Sequence, residues 1–449
     1  MADTKIAYES PDPGRPATET PSLPVLEYET HRHDPYAALR FRDYRFYSIG
    51  WLCASIGFQM QIAAIAWEIY KWTGSAMKMG LAGGIQALPL IILALPAGHL
   101  ADRYNRRTLA ALGQVTAAIC SIALAVLSLS FAHYKITAHA ATITMFWIIF
   151  AGGVFSTFSR PARSAILPHI VPTSAFTNAV TWSAFIFEFS SVAGPAIAGF
   201  IIALISPAAV YIFATILYIA FLVFLLLLHY QPKPHEKRTH ERRELLAGLK
   251  FVWREKVILA SLTLDLFAVL LGGAVYLMPI FAQEILHVGP VGFGWLRAAP
   301  AIGAFSMAML LAHRHPLRRP GRALLWAVSA FGLATIIFGL SRSFWLSMAA
   351  LVLTGAFDNI SVVIRHTLIQ ILTPDSKRGR VSAVNSVFIG ASNELGGFES
   401  GVTAHYLGPV TSVVAGGIGT LLVVASVALA WPQLRSLGPL QSLKPSDDD

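Results

Sequence analysis

Twelve apolar runs divide the chain, each close to the 20 or so residues that a helix rising about 1.5 Å per residue needs to cross a bilayer. They fall at 47–70, 76–98, 108–131, 141–161, 176–204, 207–229, 257–282, 290–312, 322–341, 343–366, 382–405 and 408–431. A soluble fold has no interior large enough for this surface. Of 449 residues, 55% are hydrophobic and 13% charged, whereas soluble domains carry about a quarter charged. The runs predict an all-α membrane protein of twelve transmembrane helices, with short turns near 205 and 342 separating the closest pairs.

Charge orients this array. With both ends of the chain cytoplasmic, 29 of the 34 Lys and Arg lie on that side or at its helix ends; Lys71, Lys78, Lys135 and Arg342 face out, and Arg297 sits inside a run. This is the positive-inside pattern of a multi-pass protein of the cell (inner) membrane. The net charge of +10 therefore reads as an insertion signal into a lipid bilayer. It is spread over separate loops and tails, with no folded domain on which nucleic acid could sit. Cys53 and Cys120 lie inside apolar runs and read as small core residues, not as a disulfide or metal pair.

Residues 1–38 are rich in Pro, Thr and acids and are expected to form a disordered cytosolic tail. No basic segment followed by an apolar one opens the chain, so the first run is expected to direct insertion. Residues 231–256 form the longest internal polar connection. They separate six helices at 39–230 from six at 257–431, ahead of a second cytosolic tail at 432–449. Within the connection, Leu245, Leu249, Val252 and Trp253 recur at helical spacing, which predicts a short amphipathic helix lying on the membrane surface.

Between the second and third runs stands a short charged turn, Gly98-His99-Leu100-Ala101-Asp102-Arg103-Tyr104-Asn105-Arg106-Arg107. It resembles the signature loop of the major facilitator superfamily, departing from the pattern where Asn105 replaces Gly. Asn tolerates a left-handed backbone better than other side chains, so the turn is expected to survive. The resemblance implies a gating role for Gly98, Asp102, Arg103, Arg106 and Arg107. In it Asp102 faces the start of the eleventh helix in the outward-facing state, and Arg106 holds neighbouring acids.

The two halves also look like copies. A shift of 202 places Arg163–Pro172 on Arg365–Pro374 and the fifth helix on the eleventh. Inverted or parallel repeats of this kind build alternating-access carriers, with the substrate site where the repeats meet. In the fifth helix, Gly194, Pro195 and Gly199 allow close helix contact and loosen the backbone; they resemble the Gly-Pro motif of the superfamily's exporters. The stretches 358–365, 373–381 and 392–401 are similar to the branch that holds the enterobactin exporter and related proton-driven drug exporters.

Ionisable residues inside the runs are the best pointers to mechanism, since each costs about 3 kcal/mol at the bilayer centre on insertion scales. Glu188 and Glu394 each lie twelve residues into their runs, near the midplane. Asp265 and Asp358 lie nearer the cytoplasmic face, and Arg297 and Glu399 nearer the outer one. Asp358 and Arg365 share a helical face and suit a gate network. Arg297 can pair with Glu399, which matches it in depth, or with Glu188. Glu68 and Glu284, at run ends, are expected to be solvated interfacial groups. Desolvation and a nearby Arg shift a carboxyl group in opposite directions, so a helix movement can load and release a proton. Glu188, Asp265, Glu394 and Glu399 are chemically fit for this, and Phe185, Phe187, Phe267, Tyr276, Phe357 and Phe398 supply an aromatic wall.

Other chemistries fail on spacing. His235-Glu236 and His240 resemble a zinc-protease motif, but three residues instead of two separate Glu236 from the second His, and a spacing of five positions turns the imidazoles about 140° apart on a helix. No phosphate-binding loop of the G-x-x-x-x-G-K-[ST] type occurs. Gly390-Ala391-Ser392 lies inside a helix with no His partner, so no catalytic residue, metal or cofactor is expected. The reading that results is a secondary carrier exporting an amphipathic small molecule, drug-like or siderophore-like, in exchange for protons. A proton-coupled importer and a transport-inactive sensor or scaffold are the alternatives.

Overall fold

A computed structural model describes residues 34–134, 136–229, 241–313 and 319–439, apart from the side chains at 94, 95, 98, 99, 101–103, 241–247, 376 and 383. The chain divides after Tyr36, and the unit from Ala37 on holds every long helix among the described residues. In chain order these are α1 Arg42–Thr73, α2 Ala76–Arg103, α3 Arg106–Tyr134, α4 Ala138–Ser164, α5 Thr173–Leu204 and α6 Pro207–Leu227. The second set is α7 Lys256–Leu271, α8 Gly289–Ala312, α9 Pro320–Leu340, α10 Phe344–Leu372, α11 Asp375–Leu407 and α12 Pro409–Ala430. Among the described residues eleven spans are long and apolar enough to cross a membrane, the seventh counted as Lys256–Ile285. The exception is α11, where Ser392, Asn393, Glu394, Glu399 and Ser400 interrupt the apolar surface.

Local chemistry sets the ends. Ser75, Thr137 and Ser206 cap α2, α4 and α6 by accepting N–H bonds from Lys78, Ala140 and Ala209. Gly74 closes α1 at φ 58°, a left-handed position that only Gly adopts without strain. At the end bearing the 98–107 loop, several helices outrun their apolar stretches. α11 starts at Asp375 instead of 382, because a helix can continue through polar residues once outside the bilayer. The 202-residue shift carries over into the structure: it maps Thr173, the start of α5, onto Asp375, and Pro207, the start of α6, onto Pro409.

The seventh span, expected as one run at 257–282, is broken. α7 stops at Leu271, a 3₁₀ turn covers Ala274–Leu277, and the span resumes through Met278–Ile280 and a π-helical Phe281–Ile285. The break falls at the pair Gly272-Gly273, poor helix formers both. A Cβ on Gly273 would lie 2.5 Å from the Gly396 carbonyl oxygen and 2.4 Å from Ser400 Oγ, so α11 presses on a backbone that must stay bare.

Helices α1–α6 pack among themselves, as do α7–α12, and the halves meet mainly where α2 crosses α11 and α5 crosses α8. Both crossings bring glycine backbones together: a Cβ on Gly80 would meet Gly401 Cα at 2.8 Å, and one on Gly199 would meet Gly294 Cα at 3.0 Å. Away from the 98–107 loop, one apolar cluster joins the halves, with Trp67, Tyr70 and Met79 against Leu277, Phe281 and Phe293. At the loop end the clusters are separate. Tyr44, Ile166 and Phe221 belong to one half, and Phe251, Leu324 and Leu368 to the other.

The central connection contains a helix, Glu241–Arg254, packed on α11 and α7. Its buried face differs from the expected one. Phe251 and Val252 are buried, whereas Trp253 is 65% exposed. Lys377 lies 5.4 Å from the Phe251 ring centre, and Gly248 lets the backbone press against Arg380. The helix thus packs on the protein through its second half. Of the expected tails, 1–33 and 440–449 lie outside the described residues, as does His235–His240. Ala38 is fully buried and donates its N–H to Asn178 Oδ1 at 3.0 Å. Leu434, in a short helix Pro432–Arg435, is buried against Gly321.

Candidate functional site

The signature turn is built around a cap, not a left-handed residue. Among the described residues His287 is the only non-glycine at positive φ, which corrects the expectation for Asn105. Its carbonyl accepts from Leu109 N–H and its Oδ1 from Arg107 N–H at 2.9 Å, so Asn105 starts α3 as an N-cap. Arg106 donates to the Ala165 carbonyl at 3.2 Å, and Arg107 to that of Leu226, tying the start of α3 to the ends of α4 and α6. The side chains of Asp102 and Arg103, and Gly98, lie outside the described set.

In α5, Gly194 faces α1, where a Cβ would meet Gln59 Cβ at 2.5 Å. Gly199 and the Pro195 carbonyl face Gly294 of α8. The motif therefore serves one contact within its half and one between halves. Phe185 extends the second, lying 5.9 Å from Phe305 of α8.

The ionisable residues fall into two groups. Arg365 of α10 forms an ion pair with Asp265 of α7, and the two are 1% and 6% exposed. Asp358 lies within electrostatic reach of both, and of Glu188 on α5 in the other half. A small cavity here is lined by Asp265, Phe331, Phe357, Asp358 and Ser361. The expected Asp358–Arg365 network thus has a third member, and Asp265 holds the direct contact.

The second group gathers at Glu394. Its Oε2 accepts from Tyr276 Oη at 2.8 Å, in the 3₁₀ turn of the broken seventh span. Arg297 of α8 and Arg160 of α4 act on it electrostatically, one from each half. For Arg297, the sequence left Glu399 or Glu188 as partners; the carboxyl group within its electrostatic reach is Glu394. Glu399 instead accepts from Thr403 at 2.7 Å and from Ser400 at 3.4 Å.

Sequence reasoning missed two charges. Arg160 stands four residues from the end of α4 and was absorbed into the basic belt; no local pattern separates it from the arginines that only orient the chain. Glu68 is a correction. Expected to be solvated, it is 2% exposed and accepts from Ser128 at 2.6 Å and Tyr211 at 2.8 Å. Its depth shows only once α3 and α6 pack over α1. Glu284 is exposed, and accepts a hydrogen bond from Tyr70 across the halves.

A family described as transmembrane secretion effector matches residues 33–445. The chain belongs to that family. It is a membrane transporter of the major facilitator superfamily, and the fold places its twelve helices in the two six-helix repeats of that superfamily. The enterobactin exporter EntS of Shigella boydii serotype 18 is 24% identical over 372 residues, 83% of this chain and 88% of the relative. EntS of Escherichia coli O1:K1 / APEC matches equally. Among solved structures, a bacterial homolog of the human lysosomal transporter Spinster in an inward-facing, unoccupied conformation aligns at TM-score 0.69 and 14% identity, covering 90% of this chain and 98% of that one. A bacterial homologue of the iron transporter ferroportin, inward-facing, aligns at 0.68 and 14%, covering 86% and 98%. At these identities the structural likeness concerns the fold.

Proposed function

We propose that the protein exports an amphipathic small molecule across the cell membrane in exchange for protons. The observation that carries this reading is Glu394. It sits in mid-helix on α11, its hydroxyl partner Tyr276 lies in its own half, and one of its two arginines, Arg160, lies in the other. Rocking the halves apart changes the charge beside the carboxyl group, which is the requirement for binding a proton on one side and releasing it on the other. The 24% identity to enterobactin exporters supports export over import.

In this reading residues 39–230 and 257–431 are the moving bundles, joined by 231–256. Both tails and the 98–107 loop are cytoplasmic, following the positive charge. The halves then share their apolar cluster at the outer end and stand apart at the cytoplasmic end, the state in which an exporter loads. Single cysteines placed at 314–319 and 376–379 should react with an impermeant thiol reagent only after permeabilisation. Labelling in intact cells would invert the topology. Asp102→Asn should slow turnover without unfolding the protein if the signature turn gates the cycle.

The deciding measurement is substrate-induced proton flux in proteoliposomes holding the purified protein. Exchange of substrate for protons is expected. Flux of both in the same direction would make the protein an importer, and no flux under a pH gradient would leave a sensor or scaffold.

A further inference from the structure

Among hydrogen bonds whose two partners are both described, a single one joins the six-helix halves. The hydroxyl of Tyr70, near the end of α1, donates to Glu284, near the end of the broken seventh span. Tyr70 is 6% exposed while Glu284 is open to solvent, so a buried phenol reaches out to a carboxyl group at the rim. An aromatic contact between the halves stands beside it. Trp67, about one turn before Tyr70 on α1, lies 5.3 Å from Phe293 of α8, ring centre to ring centre.

The chain that carries Glu284 is unusual throughout Phe281–Gly289. Phe281–Ile285 is the π-helical turn, His287 is the only non-glycine at positive φ among the described residues, at 52°, and Gly289 follows at 64°. Wide turns inside helices and side chains held in the left-handed region persist where the surroundings over-determine them, and they gather at functional and switch sites. Local bonds close the corner on itself. The Val288 N–H donates to the Ala282 carbonyl at 2.9 Å, and His287 Nδ1 lies 2.9 Å from the Gln283 carbonyl oxygen.

We propose that Tyr70 and Glu284 form the latch of the outer end: their bond exists only while the halves are closed there, and the Phe281–Gly289 corner is the part that releases it. The inference rests on the exchange reading for the existence of a state open at that end. A hydrogen bond between groups on different halves must break when the halves separate, and each partner then meets water. Its net worth sets the balance between the two states and leaves the stability of each half alone.

The test is the rate at which a buried cysteine reacts. Ala404, 4% exposed in the apolar cluster shared by the halves, is changed to cysteine in the full-length protein, with Cys53 changed to alanine and the buried native Cys120 kept. In lipid nanodiscs with a dilute, water-soluble maleimide, labelling at Ala404→Cys follows the fraction of molecules open at that end. Tyr70→Phe and Glu284→Ala should each raise that rate about tenfold, the worth of a hydrogen bond to a charged group. The double variant should be no faster than either single one, because the second change removes a bond already lost. Cys120, which faces Gly152 inside the first half, should keep its rate in all three variants. Parallel acceleration at Cys120 would mean general loosening and would overturn the latch. Rates within about twofold of the parent in both single variants, or a double variant approaching the product of the two, would overturn it as well. If labelling behaves as expected but no proton-coupled flux appears in proteoliposomes, the exchange reading fails and the latch stands. Proton-coupled flux without the labelling shifts leaves exchange standing and removes the latch.

Discussion

Glu68 and Glu394 are both carboxyl groups within membrane-spanning helices, and they are held in opposite ways. Glu68 is enclosed by α3 and α6 of its own half, with one hydroxyl on each oxygen. Glu394 has a single hydroxyl partner and two arginines drawn from different halves. A group whose contacts all move with it keeps its environment through any rigid-body motion. A group whose contacts straddle the moving surface cannot. On the proposed exchange mechanism, burial alone ranks these two acids the wrong way round. Asp265 makes a third case, as its ion pair with Arg365 lies wholly inside the second half while Asp358 beside it reaches toward Glu188.

The most damaging change should be Asp265→Ala, which strands a buried guanidinium. A loss of about 3–5 kcal/mol is expected by thermal unfolding of the purified protein, and Asp265→Leu combined with Arg365→Leu should recover most of it. A mild effect in the single variant would mean that Asp358 can take over the pairing. Next comes Glu394→Gln, which keeps shape and a hydrogen bond to Tyr276. Downhill exchange should continue, while uphill export driven by a pH gradient falls at least tenfold. Glu399→Gln is the control at the same helix, and because the partners of Glu399 among the described residues are Thr403 and Ser400 on its own helix it should keep uphill export.

Glu68→Gln should cost about 1 kcal/mol, since an amide offers one acceptor where two hydroxyls now donate. Uphill export should persist, and its disappearance would erase the contrast with Glu394. The smallest effect is expected at the signature turn. Asn105→Gly exchanges one cap residue for another and should change stability by only a few tenths of a kcal/mol. A larger gain would mean that the backbone there wants the left-handed conformation after all.

Much of the fold was legible because the bilayer imposes one period and one length on every span. The repeat was visible for the same reason: α5 and α11 must start at matching levels. What stayed hidden depends on packing between segments distant in sequence. Glu68 looks like a helix-end residue until α3 and α6 cover it. Arg160 looks like topology charge until the fold brings it within electrostatic reach of Glu394. The break after Leu271 falls at Gly272-Gly273, and only the fold shows that Gly396 and Ser400, more than a hundred residues away, press on it there. Asn105 departs from the expectation because the family pattern points to a backbone role where the side chain does the capping.

That break gives the seventh span two parts that need not turn together. Its first part holds Asp265 against Arg365, and its last part packs Phe281 into the cluster shared by the halves. Tyr276 stands in the joint. A small change in pitch there would swing the phenol off Glu394 with the Asp265 ion pair undisturbed. The end of the molecule where Phe281 is clamped could then report its opening to the carboxyl group through a single side chain, as a latch does through its pin.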